Sequence, residues 1–260
     1  MANLRSFPGL FSSRHKRGHS AWRRAQKESA DRQLRVENLE DRILLSGVTA
    51  FDQAMTTGQE PIATETGVFD QNETVDVVVL NADGTLTVGL NGGDDTYSAQ
   101  FTQDLGIGPA FGLQEFYADS NGRSDLAVQT ADSVIVLTSN VDGTFSIADT
   151  LTSVTAGSFA PVTGERVEIA SGYLNDDYAL DLIVTSPGTD EVSMFLNNGD
   201  GTFGSETRLS SHADEPISVV ASNFIGAEYL DLAIGHRNGT VTLFEGDGDG
   251  SLTWRDDLSI

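Results

Sequence analysis

The chain has 260 residues, no cysteine and a formal net charge of −24. Disulfides and thiol nucleophiles are therefore excluded, and stability must come from packing, with metal as a further support. A surface this negative repels nucleic acid and anionic membranes and draws in divalent cations.

Residues 1–46 differ from everything after them. They carry ten of the fifteen Lys and Arg residues against five acids, about +5; the remainder holds five Arg, no Lys and 34 Asp and Glu, about −29. That is a boundary of charge and of composition. The longest apolar run, Ile43-Leu44-Leu45, is far short of a signal-peptide core of ~7–15 residues or of a membrane span, so no transmembrane segment is expected. On charge alone the segment reads as a basic, largely disordered arm, partly helical between Ser20 and Leu45, and the acidic body opposes DNA binding by it. The run Leu39-Glu40-Asp41-Arg42-Ile43-Leu44-Leu45 resembles the LEPR-XLL segment of large exported bacterial surface proteins, with Asp41 in place of Pro. The resemblance implies export to the cell surface or beyond. Residues 47–60 read as a connector.

From residue 61 the chain is built of short strand signals separated by turn residues. Ile62–Phe69 is the first predicted strand. Four aspartates each open an apolar run: Asp76 (DVVVL), Asp125 (DLAVQ), Asp181 (DLIVT) and Asp231 (DLAIG), spaced by 49, 56 and 50 residues. The third unit shows the grammar best. Strands are predicted over Val167–Ser171, Leu180–Thr185 and Glu191–Leu196, with a fourth opening at Thr202-Phe203. The loop Asn175-Asp176-Asp177, the turn Pro187-Gly188 and the hairpin Asn198-Gly199-Asp200-Gly201 join them. A period near fifty residues with four strands per period marks propeller blades rather than helical repeats. The expectation is an all-β, β-propeller-like fold: four blades of four antiparallel strands, over about 61–100, 111–150, 167–208 and 217–258. They would form a small closed ring, an open arc or part of a larger propeller. The stretches 101–110 and 152–166 are expected to connect blades.

The string LNNGDGTF, preceded by LNDDYALDLIV, resembles the FG-GAP/VCBS repeats of integrin-α-like β-propellers, typical of bacterial surface and secreted proteins. The similarity covers about 60–258, although the family's literal Phe-Gly and Gly-Ala-Pro tags are absent. It implies calcium loops of the form D-x-N/D-x-D-G-x-x-D-L. Mapped onto this chain, the implied ligands are Asp119, Asn121 and Asp125 in blade two, Asn175, Asp177 and Asp181 in blade three, and Asp70, Asn72 and Asp76 in blade one. Calcium takes six to eight oxygen ligands, which closely spaced Asp and Asn supply from one loop. In each of these loops the family's first Asp is lost, to Tyr117, Tyr173 and Val68. Only Gly122 keeps the glycine, replaced by Tyr178 and Glu73 elsewhere. Blade four retains Asp231 alone and is not expected to bind. The competing reading is that these side chains cap their own turns.

Catalytic constellations are sparse. Only His212 and His236 follow residue 46, without zinc spacing, and no G-x-S-x-G elbow occurs. Gly246-Asp247-Gly248-Asp249-Gly250 reads as a turn before it reads as a metal loop. The function expected is a non-catalytic binding or adhesion module, with a protein or carbohydrate ligand at the cell surface and weak calcium loops. The alternatives are a structural spacer and an accessory module of a polysaccharide-active enzyme. An exposed aromatic cluster would favour the binding module; Tyr117, Tyr173, Tyr229 and Phe224 are candidates, though in this fold such residues more often pack between blades.

Overall fold

The computed structural model describes residues 57, 60–93, 97–153, 155–161, 167–226 and 229–259. The basic segment with its LEPR-XLL-like run, and most of the connector, lie outside the described residues. The described residues belong to one compact unit, Gln53–Ile260.

Sixteen strands form four four-stranded antiparallel sheets, each in simple chain order. Sheet 1 holds β1 (Pro61–Gly67), β2 (Asp76–Asn81), β3 (Leu86–Asn91) and β4 (Tyr97–Gln103). Sheet 2 holds β5 (Ala110–Phe116), β6 (Asp125–Thr130), β7 (Ser133–Ser139) and β8 (Phe145–Thr152). Sheet 3 holds β9 (Ile169–Gly172), β10 (Asp181–Ser186), β11 (Glu191–Phe195) and β12 (Thr207–Ser210). Sheet 4 holds β13 (Pro216–Ser222), β14 (Asp231–His236), β15 (Thr240–Gly246) and β16 (Leu252–Ser259). The all-β expectation of four antiparallel blades is met.

Each anchor aspartate is the first residue of the second strand of its sheet. In β10 the apolar run is continuous because every residue is buried, as a strand covered on both faces requires. The last strands β8 and β16 are largely exposed and correspondingly polar. Sheets stack in chain order, and three hydrophobic clusters fill the junctions. Leu126 and Val128 face sheet 1 with Val78 and Val88. Ala127 and Val136 face sheet 3 with Leu182 and Val184. Ile183 and Met194 meet Leu232 and Phe244 of sheet 4. The opposite face of sheet 4 is open to solvent, with Val220 and Leu258 about half exposed.

A backbone latch recurs at each junction. The loop after the first strand of one sheet forms a single bridge with the Asx-Gly hairpin of the next: Asp70 with Asp142, Asp119 with Asp200, Asn175 with Asp249. Gly201 N–H donates to Ala118 O (3.0 Å) and Gly250 N–H to Leu174 O (3.0 Å) in the second and third of these. The hydrophobic residue that follows the hairpin, Phe145, Phe203 or Leu252, fills the same junction. Phe145 meets Phe69 edge-on at 5.3 Å.

Two expectations need correction. Phe101 is not in a connection but in β4, packed against the first cluster. The last strand of sheet 3 begins at Thr207 rather than at 202–203, because Phe203 donates its N–H to Asp149 Oδ2 of sheet 2 at 2.9 Å. The expected connection between β8 and β9 is met, and within it Phe159 is fully buried, edge-on to Phe195 at 6.5 Å.

Candidate ligand-binding site

The four anchor aspartates share one geometry. Asp125 Oδ2 accepts N–H bonds from Ala118 (2.9 Å) and Asp119 (3.4 Å), and its Oδ1 accepts the Ser139 N–H (2.9 Å). Asp76 does the same with Phe69 and Asn91 (3.0 and 2.8 Å), and Asp181 with Leu174 and Asn197 (2.8 and 2.9 Å). Asp231 holds Phe224, Ile225 and Gly246 (2.8, 2.6 and 3.2 Å). Each carboxylate therefore staples the loop before its strand to the end of the third strand, and answers amides that would otherwise be buried without acceptors. Burial drives Asp125 and Asp181 up to about 6, against the pull of these N–H groups and aided by Asp119 and Asp177 respectively. Burial pushes Asp231 up too, but the N–H groups of Ile225, Phe224, Gly246 and Gly226 outweigh it, and its carboxyl lies below the ordinary value.

The other residues implied as calcium ligands form chains of Asx turns. Asp70 Oδ1 accepts the Asn72 N–H, and Asn72 Oδ1 accepts the Thr74 N–H (2.9 Å each). Asp119 Oδ1 accepts from Asn121 N–H (2.9 Å) and Asn121 Oδ1 from Arg123 N–H (2.8 Å). Asn175 donates Nδ2–H to Asp177 Oδ2 (2.8 Å), and Asp177 Oδ1 accepts from Ala179 N–H (2.9 Å). In each loop the anchor faces amide donors with both oxygens, and the Arg123 guanidinium is bonded to Ser139 O (2.9 Å) beside the second loop. Among the described residues no three Asp, Glu or His side chains converge as a metal site would need. The loop carboxylates of sheets 2 and 3 thus accept from backbone amides and from the side-chain amides of Asn121 and Asn175. In the sheet 4 hairpin, Asp249 likewise accepts from Ser251 N–H and Oγ–H (3.0 and 2.5 Å).

The same loops present aromatic rings. Tyr117 and Tyr173, which stand where the family's first calcium ligand would, are 48% and 53% exposed; Phe224 and Tyr229 are similarly exposed in sheet 4. About half of each of these residues is open to solvent, and the Tyr229 ring also lies against Gly248 of the sheet 4 hairpin. Each lies in the loop between the first and second strand of its sheet, hence at the same sheet end. Tyr178, read from the sequence only as a glycine replacement and not as part of the aromatic set, is 89% exposed with φ of 62°. Gly122 fills the matching place in sheet 2 with φ of 80°. A left-handed backbone costs an L residue roughly 1–2 kcal/mol, a cost glycine escapes. An aromatic residue at the repeat's glycine position was the available signal.

Tyr117, Tyr173 and Tyr178 border a cleft of about 370 Å³ between the loops of sheets 2 and 3, with Asp119, Ser120 and Asp177 on its walls. The structure thus joins two residues from separate predicted calcium loops, Asp119 and Asp177, in one depression. Asn197 fixes its floor: Nδ2 donates to Ala118 O (3.0 Å) and Leu180 O (3.1 Å), and Oδ1 accepts the Gly199 N–H (2.8 Å). A larger cleft of about 670 Å³ runs between the first strands of all four sheets, past Glu65 and Glu168. Burial, then Glu115, holds the Glu65 carboxyl above its ordinary value.

No family model and no curated protein matches the chain. Solved structures do. One describes specific recognition of non-reducing terminal N-acetylglucosamine by an Agrocybe aegerita lectin, with a TM-score of 0.53 and 16% identity over 78% of this chain and 53% of that one. Another is BBS1N in complex with ARL6DN, with a TM-score of 0.51 and 16% identity over 77% and 55%. This chain spans about half the length of both. Likeness at this identity concerns the fold, which is β-propeller-like.

Proposed function

We propose that the chain is an exported, non-catalytic binding module that holds a carbohydrate at the cell surface on the loop end of its sheets. The observation that carries this reading is the set of half-exposed aromatic side chains, Tyr117, Tyr173, Phe224 and Tyr229, repeated at one end of three consecutive sheets. Aromatic side chains left half exposed to water are common in recognition surfaces. The stapled loops hold them on a rigid support, which lowers the entropic cost of binding. Fold similarity to a lectin supports the carbohydrate choice. The LEPR-XLL-like and FG-GAP/VCBS-like sequences support export.

The test is retention of the full chain on a panel of immobilised polysaccharides and proteins. Retention on at least one polysaccharide is expected, with loss in a Tyr117→Ala/Tyr173→Ala/Phe224→Ala/Tyr229→Ala variant that melts as the parent does. Equal retention of the variant would refute the aromatic surface, and no retention at all would favour a spacer.

A further inference from the structure

Resting on that reading, we propose that the cleft between the first loops of sheets 2 and 3 is a site for a neutral pyranose. Tyr117, Tyr173 and Tyr178 supply its aromatic walls, and Asp119 and Asp177 accept from the sugar hydroxyls.

Tyr178 is the first argument. Its ring is almost wholly in solvent, so it contributes no packing, yet it sits on a left-handed backbone at the repeat position held by Gly122 in sheet 2 and by the polar Glu73 in sheet 1. Strain retained without a packing return points to a contact made with something outside the chain. The three phenol hydroxyls form no hydrogen bond with other described residues, and each remains a donor and an acceptor. The second argument is the fixed floor. Asn197 ties the loop of sheet 2 to that of sheet 3 with its amide fully engaged, so the walls keep their spacing before a ligand arrives. The third is acceptor capacity. Asp119 takes one donor on each oxygen, both from Asn121; Asp177 takes one on each, from Ala179 and Asn175. An ionised carboxylate has about four lone-pair sites, so acceptor capacity remains on each.

A volume of about 370 Å³ lies at the small end of ligand pockets, ~300–1,000 Å³, and suits a mono- or disaccharide. A pyranose offers a flat C–H face to an aromatic ring and hydroxyls around its edge, which matches rings flanked by carboxylates. The net charge of −24 turns away uronic, sulfated or sialylated glycans, leaving neutral hexoses and N-acetylhexosamines.

The experiment is calorimetric titration of the full chain with glucose, galactose, mannose and N-acetylglucosamine oligomers, and with uronic-acid oligomers as a charged control. Saturable binding of at least one neutral sugar is expected. Tyr178→Gly should weaken it tenfold or more while the melting temperature stays level or rises, since glycine suits that backbone. Asp177→Asn should weaken it as well. A purely structural Tyr178 would instead lower the melting temperature and leave affinity alone. If the full chain is retained on polysaccharide but Tyr178→Gly binds as the parent does, the module reading stands and this cleft is wrong. Preference for the charged control, or binding only of a protein ligand, overturns the neutral-pyranose assignment; no binding of any kind overturns both readings.

Discussion

Replacing Asp125 with alanine removes the staple of sheet 2 and tests whether the repeat's aspartate is there for the backbone. The Ala118 and Ser139 amides, each 2.9 Å from the carboxylate, lose their acceptor. An unsatisfied buried amide costs ~1–3 kcal/mol, so a loss of about 2–4 kcal/mol is expected near pH 8. The pH dependence is a second handle. The folded carboxyl is raised to about 6 from an ordinary 3.8, so its contribution to stability is fully present below 3.8 and is lost as pH rises through about 6. Linkage gives the parent about 1.4 kcal/mol more from this group at pH 5 than at pH 8, and the alanine variant lacks that increment. Urea denaturation of parent and variant at both pH values measures it. A loss below about 1 kcal/mol would refute the staple, whereas a variant gap that narrows toward pH 5 would show the N–H groups outweighing burial at Asp125 as they do at Asp231. A parent whose stability depends on added calcium would also refute the staple, because the anchor would then serve an ion.

Phe159→Ala should cost ~3–5 kcal/mol in the same assay, because the ring is fully buried in the junction of sheets 2 and 3. A surface linker would lose under 1 kcal/mol. Gly143→Ala and Gly122→Ala compare two left-handed glycines. At Gly143 a Cβ would meet Leu90 Cδ2 at 2.6 Å, whereas at Gly122 it meets nothing within 4 Å. Losses of about 2–3 and about 1 kcal/mol are expected, and equal losses would show that the latch at Asp142 is not tightly packed.

Strand number and the anchor positions were legible because both signals are local: an Asp followed by an apolar run, and Asn-Gly or Asp-Gly at the hairpins. Boundaries were less so where a distant group competes. Phe203 looked like the start of a strand, but its N–H belongs to Asp149, 54 residues earlier. The anchor aspartates were legible as residues, but the donors their oxygens meet were not, because those partners lie outside the local spacing. Asp181 faces the Asn197 amide sixteen positions on, and spacing alone cannot tell an oxygen aimed at an amide from one aimed at a cation. The exposure of Tyr117 and Tyr173 depends on how two sheets meet, which a single repeat does not encode. Tyr178 was within reach, as a bulky residue in a glycine position.

The most direct test is calorimetric titration of the EDTA-treated full chain with neutral oligosaccharides, beside a Tyr117→Ala/Tyr173→Ala variant. The account predicts saturable binding without calcium that the variant loses while still unfolding cooperatively. Binding that appears only on adding calcium, or that the variant keeps, would contradict it.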